Sequence, residues 1–310
     1  MTARDSAGSR AVLNKAVREN FPVAPFFLPR AWRADLMAVY GYARLVDDIG
    51  DGDLPPGGND AAWLGVPPDS ADDRLAMLDA FEADLRQVFG TASSDPCGQS
   101  PPATGPGHPI LRMLRPTVRR CRLTPEPFLG LIEANRQDQK IRRYARYEDL
   151  AAYCELSANP VGRLVLEITG TATPERIRSS DAICTALQII EHLQDVAEDL
   201  RVRDRIYLPE EDMSRFGVTE ADLTAPTGGA RLRALVKFEA ERARDLLNEG
   251  TPLVGSVHGR LKLLLAGFVS GGRAALAAIT AAGYDVLPGP PKATKLGLLR
   301  EVGSTLRREG

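Results

Sequence analysis

The sequence predicts an all-α protein. Apolar residues recur at intervals of three and four along most of the chain, the period of helices that bury one face, whereas the alternation of half-buried strands is rare. The 310 residues are 44% hydrophobic and 26% charged, which is typical of a globular chain with a sizeable core. Since no internal repeat or domain boundary interrupts the pattern, we predict one domain over residues 1–310.

The individual helices are predicted from where the helical period starts and stops. The first, near residues 8–20, ends at the connector FPVAPFFLP, because each of its three prolines removes a backbone donor. A second follows over about residues 30–51. Glycine- and proline-rich stretches at 52–70 and 91–109 are predicted as surface loops. Further helices are predicted at 71–89, 108–120, 125–139, 147–170, 174–203, 229–250, 256–284 and 292–308, and the ends, 1–7 and 309–310, are predicted to be disordered.

Charge and cysteine usage exclude several function classes. The 39 basic and 41 acidic side chains leave a net charge of -2, and no local basic run is long enough to bind nucleic acid. The four cysteines are widely spaced and form no CxxC pair, which indicates reduced thiols. The segment MTARDSAGSRAVLNK lacks the apolar core of a secretory signal, which predicts a cytoplasmic protein.

The most apolar stretch runs from Leu261 to Ala282. Lys262, Arg273 and three glycines interrupt it, so it falls short of the roughly 20 apolar residues that a membrane-spanning helix requires. We therefore predict no span, while a peripheral contact with a membrane stays open.

A first acidic motif, YGYARLVDDIGD, lies at the end of the second predicted helix. Asp47 and Asp51 are four residues apart and share one helix face, with Asp48 one position round and Arg44 one turn before. Carboxylates at this spacing destabilise an isolated helix by ~0.2–0.5 kcal/mol per pair. A compensating cation is therefore expected.

A second acidic motif, ALQIIEHLQDVAEDL, repeats the arrangement on a strongly apolar helix. Gln188, Glu191, Asp195 and Asp199 follow one another at steps of three and four. Hard oxygen ligands without a His or Cys cluster favour Mg²⁺, which is usually completed by water and substrate phosphate oxygens. Solvated helix faces paired with arginines are the alternative, but the apolar surroundings of the second motif favour a metal site.

Five segments carry a resemblance to a known family. ENFPVAPFFLP, YARLVDDIGD, NRQDQKIRRY, YCELSANPVGRLV and LQDVAED followed by RIYLPEEDMSRFGV resemble the squalene and phytoene synthase family. NFPVA, RQDQ and SANPVGR are most similar to its bacterial hydroxysqualene synthases of squalene and hopanoid pathways. The resemblance implies a single-domain, isoprenoid-synthase-type helical bundle with a central cavity and the two acidic motifs facing each other across its mouth.

The resemblance also implies a metal site. Asp47 and Asp51 match the first metal-binding motif, and Asp195 and Asp199 belong to the second, where Mg²⁺ holds an allylic diphosphate. Glu191 stands where many family members have asparagine, so it either binds metal or pairs with a basic residue. His192 is expected to be a packed histidine, or one that supports the metal ligands, rather than a ligand itself, because no partner at metal-ligand spacing accompanies it.

Substrate contacts are implied by further matches. The residues expected near the diphosphate are Arg44, Gln188, Arg205 and Tyr207; those expected around the carbocation are Phe21, Tyr40, Asp138 and Tyr153. Alternatives stay open for several of them: Tyr207 as a core tyrosine, Phe21 and Tyr40 as packing residues, and Asp138 as a surface ion pair with Arg136, Arg142 or Arg143.

The implied reaction converts presqualene diphosphate and water to hydroxysqualene and pyrophosphate, with Asp138 positioning the water. Gln194 stands where several relatives carry arginine, which favours a substrate with one diphosphate. The alternatives are a condensing enzyme that makes presqualene diphosphate, squalene or phytoene, and a non-catalytic isoprenoid-binding protein. No glycine-rich dinucleotide motif follows a strand, so no NADPH is expected. A partner synthase that hands over presqualene diphosphate is compatible with this function.

Overall fold

The computed structural model describes residues 24–55, 58–90 and 105–308. Every regular element in these ranges is helical, and the backbone adds one isolated parallel bridge between Arg143 and Ile206. The all-α prediction is therefore confirmed. The helix predicted near residues 8–20, Phe21 and most of the predicted 91–109 loop lie outside the described residues.

We number the helices of seven or more residues in chain order. They are α1 (Arg30–Asp51), α2 (Arg74–Phe89), α3 (Pro109–Cys121), α4 (Glu126–Gln137), α5 (Tyr147–Ser157), α6 (Asn159–Ile168), α7 (Pro174–Gln194), α8 (Glu210–Phe216), α9 (Ala230–Gly250), α10 (Gly259–Ala281) and α11 (Lys295–Arg308). Shorter helical turns are Asp60–Trp63, Pro68–Ser70, Val196–Glu198, Asp199–Arg203, Glu220–Leu223 and Pro252–Gly255.

Two predicted helices are shorter in the structure. The helix predicted over 147–170 is divided into α5 and α6 at Ala158, because Pro160 lacks the backbone donor that a continuous helix would use at this point. The helix predicted over 174–203 ends at Gln194. Helix α8 was not predicted, and the stretch predicted as the 52–70 loop contains two short helical turns.

The first compact unit comprises Met1–Lys140 and Glu167–Gly170. In its described part, α1 packs against α2, α3 and α4. Tyr42 lies at the centre of this packing: its ring is stacked with Phe81 and meets Phe128 edge to face, and its hydroxyl donates to the Phe128 carbonyl at 2.9 Å. A satisfied hydroxyl allows this large ring to be fully buried.

The second compact unit comprises Ile141–Leu166 and Thr171–Gly310. Helices α7 and α9 pack closely where Gly250 lies against α7, since a Cβ at Gly250 would come within 2.5 Å of the Ser179 carbonyl oxygen. Helix α11 is joined to α10 by Thr305, whose hydroxyl accepts hydrogen bonds from Ser270 and Arg273 at 3.2 and 2.8 Å. The single-domain organisation stays a prediction.

Helix α10 is long enough and apolar enough to cross a membrane. The sequence predicts no span here, because two charged residues and three glycines interrupt the apolar stretch. In the fold, 56% of its most apolar 18-residue window is buried. The helix packs against α7, α9 and α11. A core position of this kind explains the apolar composition without a membrane.

Candidate active site

The first acidic motif lies at the C-terminal end of α1. The spacing of Tyr40, Arg44, Asp47 and Asp51 places them on one face of the helix. The helix ends at Asp51 and is capped by Gly52, which has a φ of 75°. The C-terminal end of a helix carries a partial negative charge. Carboxylates here therefore increase the negative potential, and a bound cation would relieve it.

Arg44 distinguishes the two neighbouring aspartates of the motif. Its Nε donates to Asp48 Oδ1 at 2.9 Å, and the Asp48 side chain is only 3% exposed. Asp47 is instead open to solvent. Asp48 is thus a buried ion-pair partner, and Asp47 is the accessible carboxylate of the pair.

Two amides of the NRQDQ segment support this end of α1. Asn135 Nδ2 donates to Asp47 Oδ1 at 3.2 Å and to the Leu131 carbonyl at 3.1 Å. Gln139 Nε2 donates to the carbonyls of Gly50 and Asn135 at 2.8 and 2.9 Å. Asn135 and Gln139 were not among the predicted site residues, although they lie within a motif that carried the family resemblance.

The protein surrounding Asp47 raises the pKa of its carboxyl to about 7, although solvent reaches the side chain. The largest cause is desolvation, and the charges of Asp51 and Asp48 act in the same direction. The Asn135 hydrogen bond and Arg44 oppose the shift. A carboxylate in this setting is poised to take a cation in place of a proton.

Asp138 caps the C-terminal end of α4 and is 8% exposed. The arginines that offered surface ion pairs also contact other carboxylates: Arg136 contacts Asp79 and Glu82, whereas Arg142 and Arg143 contact Asp204. The role of Asp138 stays a prediction. Tyr40, by contrast, is half-buried on α1.

An aromatic cluster occupies the second unit. The imidazole of His192 is stacked on the ring of Tyr207, with centroids 3.6 Å apart and planes inclined by 11°. Tyr153 and Tyr144 complete the cluster, each with its ring centroid within 6 Å of that of Tyr207. Tyr144 was not predicted, because only the fold brings the segment before α5 to Tyr207.

His192 is held in its neutral form. The Gln188 amide lies 3.2 Å from His192 Nε2, and since the amide nitrogen only donates, the imidazole nitrogen accepts. Burial, together with the charge of Arg205, lowers the pKa of His192 to about 3. This packed, uncharged histidine agrees with its sequence-based interpretation.

Acid is expected to destabilise the protein through His192. A histidine whose pKa falls from 6.5 in the unfolded chain to about 3 in the fold contributes stability that is complete above pH 6.5 and is lost as the pH falls towards 3. Denaturant unfolding measured between pH 8 and pH 4 should therefore show a smaller loss of stability in His192→Phe. The exposed His258 provides the control, because His258→Phe should lose as much stability between pH 8 and pH 4 as the parent protein. If His192→Phe also lost as much as the parent protein, the assignment of a buried, neutral His192 would be contradicted.

The second acidic motif lies where α7 ends. Asp195 caps α7, and the N–H of Asp199 donates to the Asp195 carbonyl at 2.8 Å, so one helical turn separates the two aspartates. The chain then forms a π-helical turn over Asp199–Arg203. Turns of this kind occur frequently at functional sites. The helix predicted to reach residue 203 thus ends at Gln194, before this turn begins.

Charges around this motif resemble those around the first. Burial and Glu198 raise the pKa of Asp195, and Arg203 opposes the shift. Arg203 also lies 3.5 Å from Asp199. Glu191 is exposed one turn before Asp195 on α7.

Gln194 has a structural contact. Its Nε2 donates to the Pro291 carbonyl at 2.6 Å, and the residue is buried. The side chain that stands in place of a family arginine therefore joins the end of α7 to the segment before α11.

Arg205 and Tyr207 are positioned by the segment that follows the π turn. The N–H of Ile206 donates to the Arg142 carbonyl at 2.9 Å, and Arg143 binds both Asp204 and Glu220. These contacts hold Arg205 and Tyr207 with 5% and 9% exposure. Tyr207 is thus a buried tyrosine, as its alternative interpretation requires, but it is stacked on His192 among other predicted site residues.

The structure brings the predicted residues together in two sets. Arg44, Asp47 and Asp51 share one face in the first unit, whereas Tyr153, Gln188, Arg205 and Tyr207 surround His192 in the second. Within the described ranges, no three His, Cys, Asp or Glu side chains converge closely enough to hold a metal by themselves. Mg²⁺ normally takes one or two protein carboxylates with water and substrate phosphates, and each aspartate pair fits that requirement.

Comparisons with known proteins extend this result. The family model described as squalene/phytoene synthase matches residues 14–298. A hydroxysqualene synthase from Zymomonas mobilis subsp. mobilis is 33% identical over 242 residues, which cover 77% of this chain and 71% of the relative. A 15-cis-phytoene synthase from Synechococcus elongatus is 30% identical over 243 residues, covering 74% of this chain and 70% of the relative.

A solved structure is similar along almost the whole chain. The crystal structure of the squalene synthase HpnC from Alicyclobacillus acidocaldarius has a TM-score of 0.71 and 39% sequence identity, and the match covers 92% of this chain and 97% of that one. This likeness confirms the isoprenoid-synthase type of the helical fold. On this evidence the chain belongs to the squalene/phytoene synthase family, an enzyme family of isoprenoid biosynthesis that uses prenyl diphosphates.

Proposed function

We propose that this enzyme is a hydroxysqualene synthase, which ionises presqualene diphosphate, rearranges the cation and captures it with water. The observation that carries the proposal is the pair of aspartates, one helical turn apart, at the C-terminal end of a helix in each unit. Hydroxysqualene synthases among the relatives, at 30–33% identity, support this reaction.

The aspartates are the proposed Mg²⁺ ligands. Asp47 and Asp51 form one set and Asp195 and Asp199 the other, with Glu191 as an additional oxygen donor. Bound Mg²⁺ would neutralise the charge that develops on the departing diphosphate. The proposed N–H and O–H donors to diphosphate are Arg44 in the first unit and Gln188, Arg205 and Tyr207 in the second, and such donors lower the barrier to ionisation.

The aromatic cluster is the proposed environment of the carbocation. The faces of Tyr153 and Tyr207 attract positive charge, and a neutral His192 does not repel it. Tyr40 and Phe21 are the other aromatic residues proposed to act on the carbocation. Excluding water until rearrangement is complete prevents early quenching of the cation.

Asp138 is proposed to complete the reaction. A water oxygen forms the new C–O bond to the rearranged cation and loses one proton to the Asp138 carboxylate. Presqualene diphosphate and water thereby become hydroxysqualene and diphosphate, with no net oxidation or reduction. The proposal therefore requires no NADPH.

Head-to-head condensation of two prenyl diphosphates is the second candidate. It is favoured by the 15-cis-phytoene synthase among the relatives and by the squalene synthase among the solved structures. Gln194 favours the first candidate, because it stands where several relatives carry an arginine that could hold a second diphosphate, and its own amide is bonded to the Pro291 carbonyl.

The test is incubation of purified protein and Mg²⁺ with presqualene, farnesyl or geranylgeranyl diphosphate in separate reactions, with the products identified by mass spectrometry. Hydroxysqualene from presqualene diphosphate alone is the expected result. Presqualene diphosphate or squalene from farnesyl diphosphate, or phytoene from geranylgeranyl diphosphate, would assign a condensing activity. No product from folded protein would favour a non-catalytic isoprenoid-binding protein.

The cellular setting is part of the proposal. We propose a cytoplasmic enzyme that contacts a membrane peripherally. The membrane contact follows from the substrate, since burying each of its many methylenes is favourable by ~0.8 kcal/mol and the free substrate therefore resides in lipid. A separate presqualene diphosphate synthase would supply the substrate.

Tyr207→Phe tests the proposed hydroxyl donor while keeping the ring stacked on His192. Loss of a hydrogen bond to a charged group, at about 1.5–3 kcal/mol, should lower kcat by roughly 10- to 100-fold. Steady-state kinetics against Tyr284→Phe, a tyrosine outside the site, provide the comparison. An unchanged kcat would instead assign Tyr207 to packing alone.

A further inference from the structure

A separate cavity of about 810 Å³ lies in the first unit. It is bounded by the turn Asp60–Trp63 and the residues after it, by one face of α2, by the segment Gly105–Gly107 and by the beginning of α3. None of the residues assigned to the active site lines it. Its volume falls within the roughly 300–1,000 Å³ of ordinary small-molecule sites.

One wall of this cavity is cationic. Arg112 and Arg115 lie three residues apart on α3 and both line it. Among the lining residues, Asp84 is the acidic one, and its carboxylate accepts the backbone N–H groups of Gly107 and His108 at 2.7 and 2.8 Å. The two guanidinium groups therefore leave the wall with an excess of positive charge.

Arg115 contributes an unsatisfied donor. In the described part of the chain its Nε is buried without a hydrogen-bond partner. The guanidinium lies against Gly105, where an added Cβ would be 2.6 Å from Nη1. Leaving a buried donor unsatisfied costs ~1–3 kcal/mol, and no acceptor among the described residues offsets that cost.

Another part of the lining is apolar, and contacts with neighbouring residues fix its position. Trp63 and Leu64 provide large apolar surfaces, beside small residues of α2. The Trp63 ring meets the His108 ring edge to face at 5.3 Å, and His108 Nε2 lies 3.1 Å from Asp60 Oδ1. These contacts therefore fix the position of the indole without a ligand.

We propose that this cavity is a second binding site, for the phosphate group of an amphiphile. Arg112 and Arg115 hold the phosphate, because guanidinium groups match its oxygens in charge and geometry. Trp63 and Leu64 receive the adjoining apolar part. The phosphate could belong to a free prenyl diphosphate or to an anionic lipid headgroup, and the proposal is independent of the reaction at the aspartates.

The two tryptophans of the chain permit a direct test. In Trp32→Phe, Trp63 is the remaining tryptophan and reports on the cavity through its fluorescence. This variant of the full chain is titrated in EDTA, which disables Mg²⁺-dependent binding at the aspartates. The probes are inorganic diphosphate, farnesyl diphosphate, and phosphatidylcholine vesicles with and without phosphatidylglycerol, with heats measured in parallel by calorimetry.

A response to farnesyl diphosphate would support the site and identify a free ligand. A response to vesicles that requires phosphatidylglycerol would support it and identify a headgroup. In either case Arg112→Gln/Arg115→Gln should weaken binding more than tenfold, whereas Arg119→Gln/Arg122→Gln, which removes equal charge from the same helix and its end, should bind normally.

Four results would overturn the proposal. These are the absence of a response to every probe, a response to inorganic diphosphate alone, an equal response to both kinds of vesicle, and an equal loss in the two double variants. Thermal unfolding of each variant establishes that it is folded. Turnover with Mg²⁺ is measured separately, so failure of the catalytic proposal would leave this result unaffected.

Discussion

Replacing Asp47 or Asp195 with asparagine should reduce turnover of presqualene diphosphate by at least about 100-fold, the range for losing one group that stabilises developing charge. Asparagine keeps the shape of the side chain and removes the charge that would hold Mg²⁺. The Mg²⁺ concentration required for half-maximal rate should rise in both variants. Steady-state kinetics over a range of Mg²⁺ concentrations measure both effects.

The same Asp47 substitution should not destabilise the metal-free protein. A carboxyl whose pKa is raised from 3.8 to about 7 weakens the fold as it ionises, so stability from this group is present below pH 3.8 and is lost as the pH rises towards 7. At pH 8 Asp47→Asn should therefore unfold at an equal or higher denaturant concentration than the parent protein. Loss of activity with retained stability is typical of a functional residue.

The exposed Asp72 provides the matched control, since Asp72→Asn removes one charge from the surface of the same unit. Its turnover and Mg²⁺ dependence should equal those of the parent protein. Undiminished turnover in both Asp47→Asn and Asp195→Asn would disprove the metal proposal.

Gly50→Ala should destabilise the protein and lower its activity together. A Cβ at Gly50 would lie 1.9 Å from Asn135 Oδ1, and Asn135 is buried with its amide bonded to the Leu131 carbonyl. Overpacking of this kind costs about 1–3 kcal/mol. Asn135 would also move away from Asp47, so turnover should fall. Chemical denaturation and kinetics on the same sample measure the two losses.

Gly267→Ala is the control for the helix propensity of alanine. Gly267 also lies within a helix, but a Cβ there would meet no atom within 4 Å, so the substitution should stabilise the fold by up to about 1 kcal/mol. Combining Gly50→Ala with Asn135→Ala should recover part of the lost stability, because the clash is removed. Equal stability of Gly50→Ala and the parent protein would show that α1 and α4 are not held together by this contact.

Local signals predicted α1 well. Pro29 precedes the helix and Gly52 follows it in the left-handed region, so both ends are set by residues next to them in the chain. The end of α7 was not predicted, because apolar periodicity continues through Val196 and Ala197. Its end at Gln194 and the π turn over Asp199–Arg203 have no proline or glycine beside them that would signal a break in the sequence.

The site residues likewise include some that the sequence reveals and others that only the fold reveals. Aspartates four residues apart are visible in the sequence, since charge on an apolar helix is unusual. Asn135, Gln139 and Tyr144 carry no such signal: they became candidates only when the fold placed two amides against the end of α1 and a third ring near Tyr207. The positioning of functional groups is thus less predictable than the groups themselves.

The burial of α10 bears on how the protein folds while it is being synthesised. A helix this apolar is at risk of aggregation or of contact with lipid while it is newly made. The helices that cover it, α7 and α9, precede it in the chain and leave the ribosome first. The surface that buries α10 can therefore form before α10 emerges, and of the described helices that pack against it α11 is the one that follows it in the chain.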